Sequence, residues 1–423
     1  MNNKQLLLLF GCFFLSLLSV YAQESEAAKA FRAKNDSLVK AWQKEFEEEA
    51  LLRRNAFQVR IDTIASDSLT VLNARNMELK TLPDLSRFKR LKQIQLEGHS
   101  LVQLPKSTFK ADSLTHIVVG HSKLEKVQFP TNRSVKVLSL HHNQLKRVPY
   151  SVRKLKNLRS LNLEHNKIER IPRFIKRMDS LKDINLNFNQ LQLNKRSIKR
   201  LARIEAISLG GNNLTGLPEN TGQLHKTKSL NLGKNSISSL PESFKKLENL
   251  EQIIFYENKF TVFPEAVLSL KRLKHIDFYR NQLTSLPDAL GKLDRLEQLF
   301  ISFNQLEALP ESLQNLDSLT YLYAHNNKLI IFPEWIPNHK KLQRIGLSNN
   351  RIIQLPDLTL MPALTDLDVQ NNLIDRFPWE LLEKESIHLL ILKDNAFNLD
   401  SKEREKLKII TEGLKENRTV VVF

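Results

Sequence analysis

The chain of 423 residues contains one cysteine, Cys12, which lies in the first apolar stretch. If that stretch is removed on export, the mature protein has no thiol. Disulfide-stapled ends and a cysteine nucleophile are then excluded. Long apolar runs are also scarce. The longest, Leu6 to Val20, is too short to span a bilayer comfortably and is followed at once by charge. There is no Gly-rich phosphate loop, no His-Glu-x-x-His and no Gly-x-Ser-x-Gly, so no enzyme activity and no cofactor are expected. Aromatics make up only 7%, and acidic residues number 46 against 64 Lys and Arg, a net charge of +18.

The first residues do carry information. Asn2-Asn3-Lys4, the apolar run and the small Ala22 read as a secretory signal over residues 1–22. Export without disulfides points to a secreted or periplasmic protein of a bacterial envelope, with no transmembrane anchor once the signal is cut.

From residue 69 to 399 one phrase recurs: Leu-x-x-Leu-x-Leu-x-x-Asn-x-Leu-x-x-Leu-Pro. Fifteen copies open at 69, 91, 114, 135, 158, 181, 204, 227, 250, 273, 296, 319, 342, 364 and 387, and eleven of the fourteen intervals are 23 residues. A fixed period of this length predicts an α/β solenoid. In each copy Leu-x-x-Leu-x-Leu alternates with the period of a strand buried on one face. Apolar residues three and six positions after the Pro predict a short helical turn. The expected shape is a horseshoe, with a parallel β-sheet on the concave face and short helical turns on the convex face.

Twelve copies keep the Asn, from Asn143 to Asn395, while the first three carry Met77, His99 and Ser122. The amide can donate and accept, so it suits backbone groups left unpaired where the strand turns away. The sixth copy replaces Pro with Lys195, which predicts a longer helix there. Residues 23–68 read as an N-terminal cap. It consists of an amphipathic helix over about 24–56, packed on the open end of the solenoid, followed by a strand at Phe57, Val59 and Ile61. Residues 400–423 read as a second cap, with a helix started by Asp400-Ser401 and a strand at Thr419 to Phe423.

This repeat, seen cleanly in Leu273…Asn281…Pro287, resembles the Leu-Pro-type leucine-rich repeats (LRR) of the Ras-pathway scaffold, plant Ras-group and plant disease-resistance families. The resemblance covers about 330 of the 423 residues. It implies a recognition scaffold that binds proteins. Those families act inside cells, whereas this chain has an export signal, so their signalling partners do not carry over.

Binding residues should sit at strand positions that the core does not use. Tyr256, Tyr279, Phe300, Phe303, Tyr321 and Tyr323 fall at such positions in copies nine to twelve, with His275, Arg280 and His325 among them. Aromatics and Arg dominate binding hot spots, so this is the expected site for a protein partner. A second candidate is the basic stretch from Lys146 to Arg203, with 17 Lys and Arg against 4 acidic residues. Its Lys146, Arg147, Arg153, Lys154, Arg173, Lys176, Arg177, Lys195, Arg196, Lys199 and Arg200 could hold an anionic glycan or envelope polymer. Nucleic acid is the less expected polyanion. A third, weaker candidate is the column His121, His142 and His165, which could hold a metal ion or respond to acid. Carboxylates such as Asp277, Asp366 and Asp368 are expected to be ordinary solvated groups.

Overall fold

The computed structural model describes residues 26–423 apart from 105, 417 and 418. The predicted signal at 1–22, with Cys12, lies outside the described residues. The chain divides into two compact units, the first built on one long helix and the second holding the sheet.

That helix, α1, runs Glu26–Thr63. No Gly or Pro interrupts those residues, so the i→i−4 hydrogen bonds have no reason to stop. This corrects the expected strand at Phe57, Val59 and Ile61. Phe57 and Ile61 are buried four residues apart, and Val59 between them is 62% exposed. Two positions of a helical stripe had the same spacing as a strand's alternation.

The second unit is one sheet of sixteen parallel strands in chain order, β1 (Val71–Arg75) to β16 (Val420–Val422). Strands β1 to β15 each begin two residues after the start of a repeat, for example β10 (His275–Asp277), β11 (Gln298–Phe300), β12 (Tyr321–Tyr323) and β13 (Arg344–Gly346). In the three-residue strands β4 (Val137–Ser139) to β15 the middle residue points into the core. In the eleventh copy Leu296, Leu299, Ile301 and Leu306 are all completely buried. Register advances by one repeat per strand, so His275, Gln298, Tyr321 and Arg344 share one row, and Asp277, Phe300, Tyr323 and Gly346 another.

On the other side ten of the copies return through a short 3-10 turn. Pro149, Pro172, Pro241, Pro264, Pro287 and Pro310 stand at the head of these turns. Strands pack roughly 4.8 Å apart, closer than helical turns can, so the array curves with the sheet inside. The sixth copy has the expected longer helix, α2 (Lys195–Leu201). The Asn194 side chain caps it by accepting from the Arg196 and Ser197 backbone N–H groups. At the far end, Asp400 and Glu403 form a reciprocal capping box on α3 (Ser401–Glu416). Strand β16 then pairs with β15 (Leu389–Ile391).

The Asn column is a ladder through the interior. In the ninth copy Asn258 Nδ2 donates to the carbonyls of Leu232 (2.9 Å), Phe255 (3.0 Å) and Tyr256 (3.3 Å). Its Oδ1 accepts from the Ile237 N–H at 3.0 Å. Each amide thus bridges to the preceding copy. His99 replaces it in the second copy, one ring nitrogen meeting Ala74 O at 3.1 Å.

Candidate functional site

The position just before the Asn column has a left-handed backbone in all fifteen copies, with φ between 47° and 71°. Only glycine, and to a lesser degree Asn or Asp, adopts this conformation without penalty. Gly98, Gly211, Asn76, Asn326, Asn349, Asn371 and Asp394 fit it. His121, His142, His165, Phe188, Lys234, Glu257, Arg280 and Phe303 take it against their preference. The turn geometry of the repeat imposes the strain, and the side chains project in a row along the edge of the sheet's open face.

Along that row the rings stack. His121–His142, His142–His165 and His165–Phe188 have centroids 4.1, 4.1 and 4.2 Å apart, with planes within 16° of parallel. The stack ends where Gly211 leaves room, since a Cβ there would meet the Phe188 ring at 2.5 Å. This corrects the reading of His121, His142 and His165 as metal ligands. Imidazole lone pairs lie in the ring plane, so parallel rings about 4 Å apart do not converge at the ~2.0–2.1 Å a zinc ion needs. Among the described residues no group of three ligand side chains suits a metal.

The stacked imidazoles disfavour one another's charge. Burial, and then the charges of His121, His165 and His141, hold the His142 imidazole at about 4 against an ordinary 6.5. His141, edge-on at 5.6 Å, is also held down, burial again the largest cause, while Glu97 and Glu164 oppose this. An unfolded chain takes up the His142 proton near 6.5 and the folded one near 4. Stability is therefore complete above 6.5 and falls as pH drops through that window. His142→Phe, the same ring that ends the stack at Phe188, is expected to flatten the fall in melting temperature between pH 6.5 and 4. A wild-type profile that is level across the window would refute this.

The aromatic residues of copies ten to twelve form one connected surface. His275, Phe300 and Tyr323 follow at 4.9 and 5.2 Å between centroids. Tyr279, Phe303 and His325 form a triangle with edges of 5.1, 5.6 and 6.3 Å. Tyr323 and His325 link the two groups at 6.3 Å. The Arg280 guanidinium lies 5.0 Å from the Phe303 ring centre and 5.4 Å from that of Tyr279. Tyr321 joins through Arg344, which stacks on it at 5.3 Å and pairs with Asp366 at 2.7 Å.

Eight of the nine residues expected here are thus brought together. The ninth, Tyr256, is not: its ring lies over Gly233, where a Cβ would sit 2.2 Å away. Arg344 is the member the sequence reading missed, although it continues the row of His275 and Tyr321. The rings are half-buried by one another. The carboxylates have local partners. Asp277 and Asp368 accept from the backbone N–H two residues on, at 2.8 and 3.1 Å. Burial, despite that bond, pushes the Asp277 carboxyl up, and burial pushes the His325 imidazole down.

The basic stretch lies on the other side, in copies four to six. Arg170, Arg173, Arg196 and Arg200 line adjoining grooves, with Lys146, Arg147 and Lys154 beyond Tyr150, and Lys176 and Lys199 beside Arg200. Arg153 stacks on Tyr150 at 4.3 Å, whereas Arg177 and Lys195 line none of these grooves.

Comparison with known proteins comes to the same architecture. A "Leucine-rich repeat region" model matches residues 183–376, and a "Leucine rich repeat" model matches 122–168 and 133–191. No curated protein matches. Among solved structures, a leucine-rich-repeat protein of Leptospira interrogans is 24% identical, with a TM-score of 0.56, over 88% of this chain and 98% of its own. The plant peptide hormone receptor RGFR1 in complex with RGF2 is 27% identical with a TM-score of 0.58, over 78% of this chain. The Arabidopsis receptor kinase HAESA, in complex with the peptide hormone IDA and the co-receptor SERK1, is 25% identical with a TM-score of 0.61, also over 78%. The chain spans only 56% and 59% of the lengths of these two receptor chains. Among the described residues no helix is long and apolar enough to cross a membrane.

Proposed function

The chain is a leucine-rich-repeat protein, and from that premise we propose that it binds a protein or peptide partner on the concave face of copies ten to thirteen. The observation that carries this is the connected surface built by Tyr279, Phe300, Phe303, Tyr323, His325 and Arg280. These side chains stand on outward positions, while the core below is closed by its own apolar residues. Large rigid rings with an arginine among them give a partner contact area at little entropic expense. Of the structural relatives, a plant peptide hormone receptor is in complex with RGF2 and HAESA with the peptide hormone IDA, which supports a polypeptide ligand.

The test is a triple variant, Tyr279→Ala, Phe300→Ala and Tyr323→Ala, compared with wild type in crosslinking and mass spectrometry of captured neighbours. Each hot-spot truncation costs about 1–2 kcal/mol or more, so capture should weaken at least about a hundredfold. The melting temperature should fall by only a few degrees. Capture at the wild-type level by a folded triple variant would sink the proposal.

A further inference from the structure

We infer that the outer face of copies four to six is a second binding site, for a linear glycan carrying sulfate or phosphate esters. One position sets this face apart, the residue that follows the Pro position at the head of the outer turn. In copies seven to thirteen it is always acidic: Glu219, Glu242, Glu265, Asp288, Glu311, Glu334 and Asp357. A carboxylate in the first turn complements the unpaired N–H groups there. In copies five and six the same position holds Arg173 and Arg196, both exposed, where a cation gains nothing from the helical end.

Two further rows repeat the pattern at one residue per copy: Arg153, Lys176 and Lys199, and beside it Lys154, Arg177 and Arg200. Among the described residues none of these cations is in an ion pair, although Arg203 pairs with Asp179 and Lys182 with Glu205 close by. Three grooves converge on Arg200, whose guanidinium is anchored by donating to the Ile171 carbonyl. Glu169 is the one carboxylate lining them. Ordinary surface lysines would sit among balancing acids. Here like charges are held in register across three rungs, which is unfavourable unless an anion lies between them.

The chemistry of the occupant follows from what accompanies the cations. Guanidinium forks match the paired oxygens of sulfate and phosphate. Single-stranded nucleic acid would want free rings on which bases stack. The exposed ring here, Tyr150, already carries Arg153 on its face and Phe174 against it at 5.8 Å. A bilayer would want apolar side chains to insert, yet between residues 151 and 261 no large apolar side chain is exposed. A soluble chain whose charged groups hang at regular intervals fits what remains.

The test uses heparin as the sulfated glycan, with dextran, duplex DNA and phosphatidylglycerol vesicles as comparisons. The variant is Arg173→Glu with Arg196→Glu, which gives copies five and six the residue that five of the next seven copies carry, the other two having Asp, so the fold should be kept. At physiological salt the variant should bind heparin at least about tenfold more weakly, and the slope of log affinity against log salt should become shallower by about two. Tyr279→Ala should leave heparin binding unchanged. An unaltered affinity in the double variant overturns the site. Binding of DNA or vesicles as tight as that of heparin overturns the glycan, and loss of heparin binding in Tyr279→Ala moves it to the concave face and overturns it as well.

Discussion

Phe278→Ala is expected to lower the stability of the repeat array by about 3–5 kcal/mol, the largest effect of any single side-chain truncation here. Phe278 is completely buried and meets three other buried rings: Phe255 and Phe260 at 5.2 Å and Phe263 at 5.0 Å. Removing it opens a cavity that these rings cannot refill without leaving their rotamers. Eight of the fifteen copies carry Leu at this position, so Phe278→Leu should cost less than half as much. Because solenoid repeats interact mainly with neighbours, hydrogen exchange should accelerate most in copies nine to eleven. Phe278 also lies between Asp277 and Tyr279, so the aromatic surface should lose order together with its support. Urea unfolding of the two variants checks this. A loss under about 1 kcal/mol for Phe278→Ala would show that the ring cluster is loosely packed.

The array was legible in the sequence because its determinants are local and repeated. Burial with a period of two, a turn and a return make each copy self-announcing, and β1 to β15 start at a constant offset from it. Asp400 announced its helix through capping chemistry, and Lys195 in place of Pro announced the other. The left-handed row was also written there. Two Gly and five Asn or Asp share it, but the histidines drew attention to side-chain chemistry instead of backbone conformation. What the sequence could not show is where each ring leans. Tyr256 and Tyr279 occupy the same position in successive copies, yet one lies over Gly233 and the other meets Phe303. The choice depends on the space left by the rung before it, a property of two copies together. The basic face has the same character: its meaning lies in the acidic row of the later copies, which only a comparison between rungs exposes.

Asn258→Ala should cost about 1–3 kcal/mol, since it leaves the Ile237 N–H without a partner in the interior and takes from the Leu232 carbonyl one of its two donors, the other being Asn235 Nδ2. Asn258→Asp should be worse at neutral pH. It keeps an acceptor for Ile237 but places a carboxylate against the carbonyls of Leu232, Phe255 and Tyr256, which now face a negative charge instead of a donor. Burial and those carbonyls raise the aspartic acid above its unfolded value. The folded variant then binds the proton more readily, and its stability rises as pH falls through the raised value, levelling off below the unfolded one. That is opposite in sign to the acid weakening imposed by His142. Melting temperatures of wild type and Asn258→Asp should therefore converge on acidification. If they stay parallel, the ladder is held by shape, and the donated hydrogen bonds contribute little.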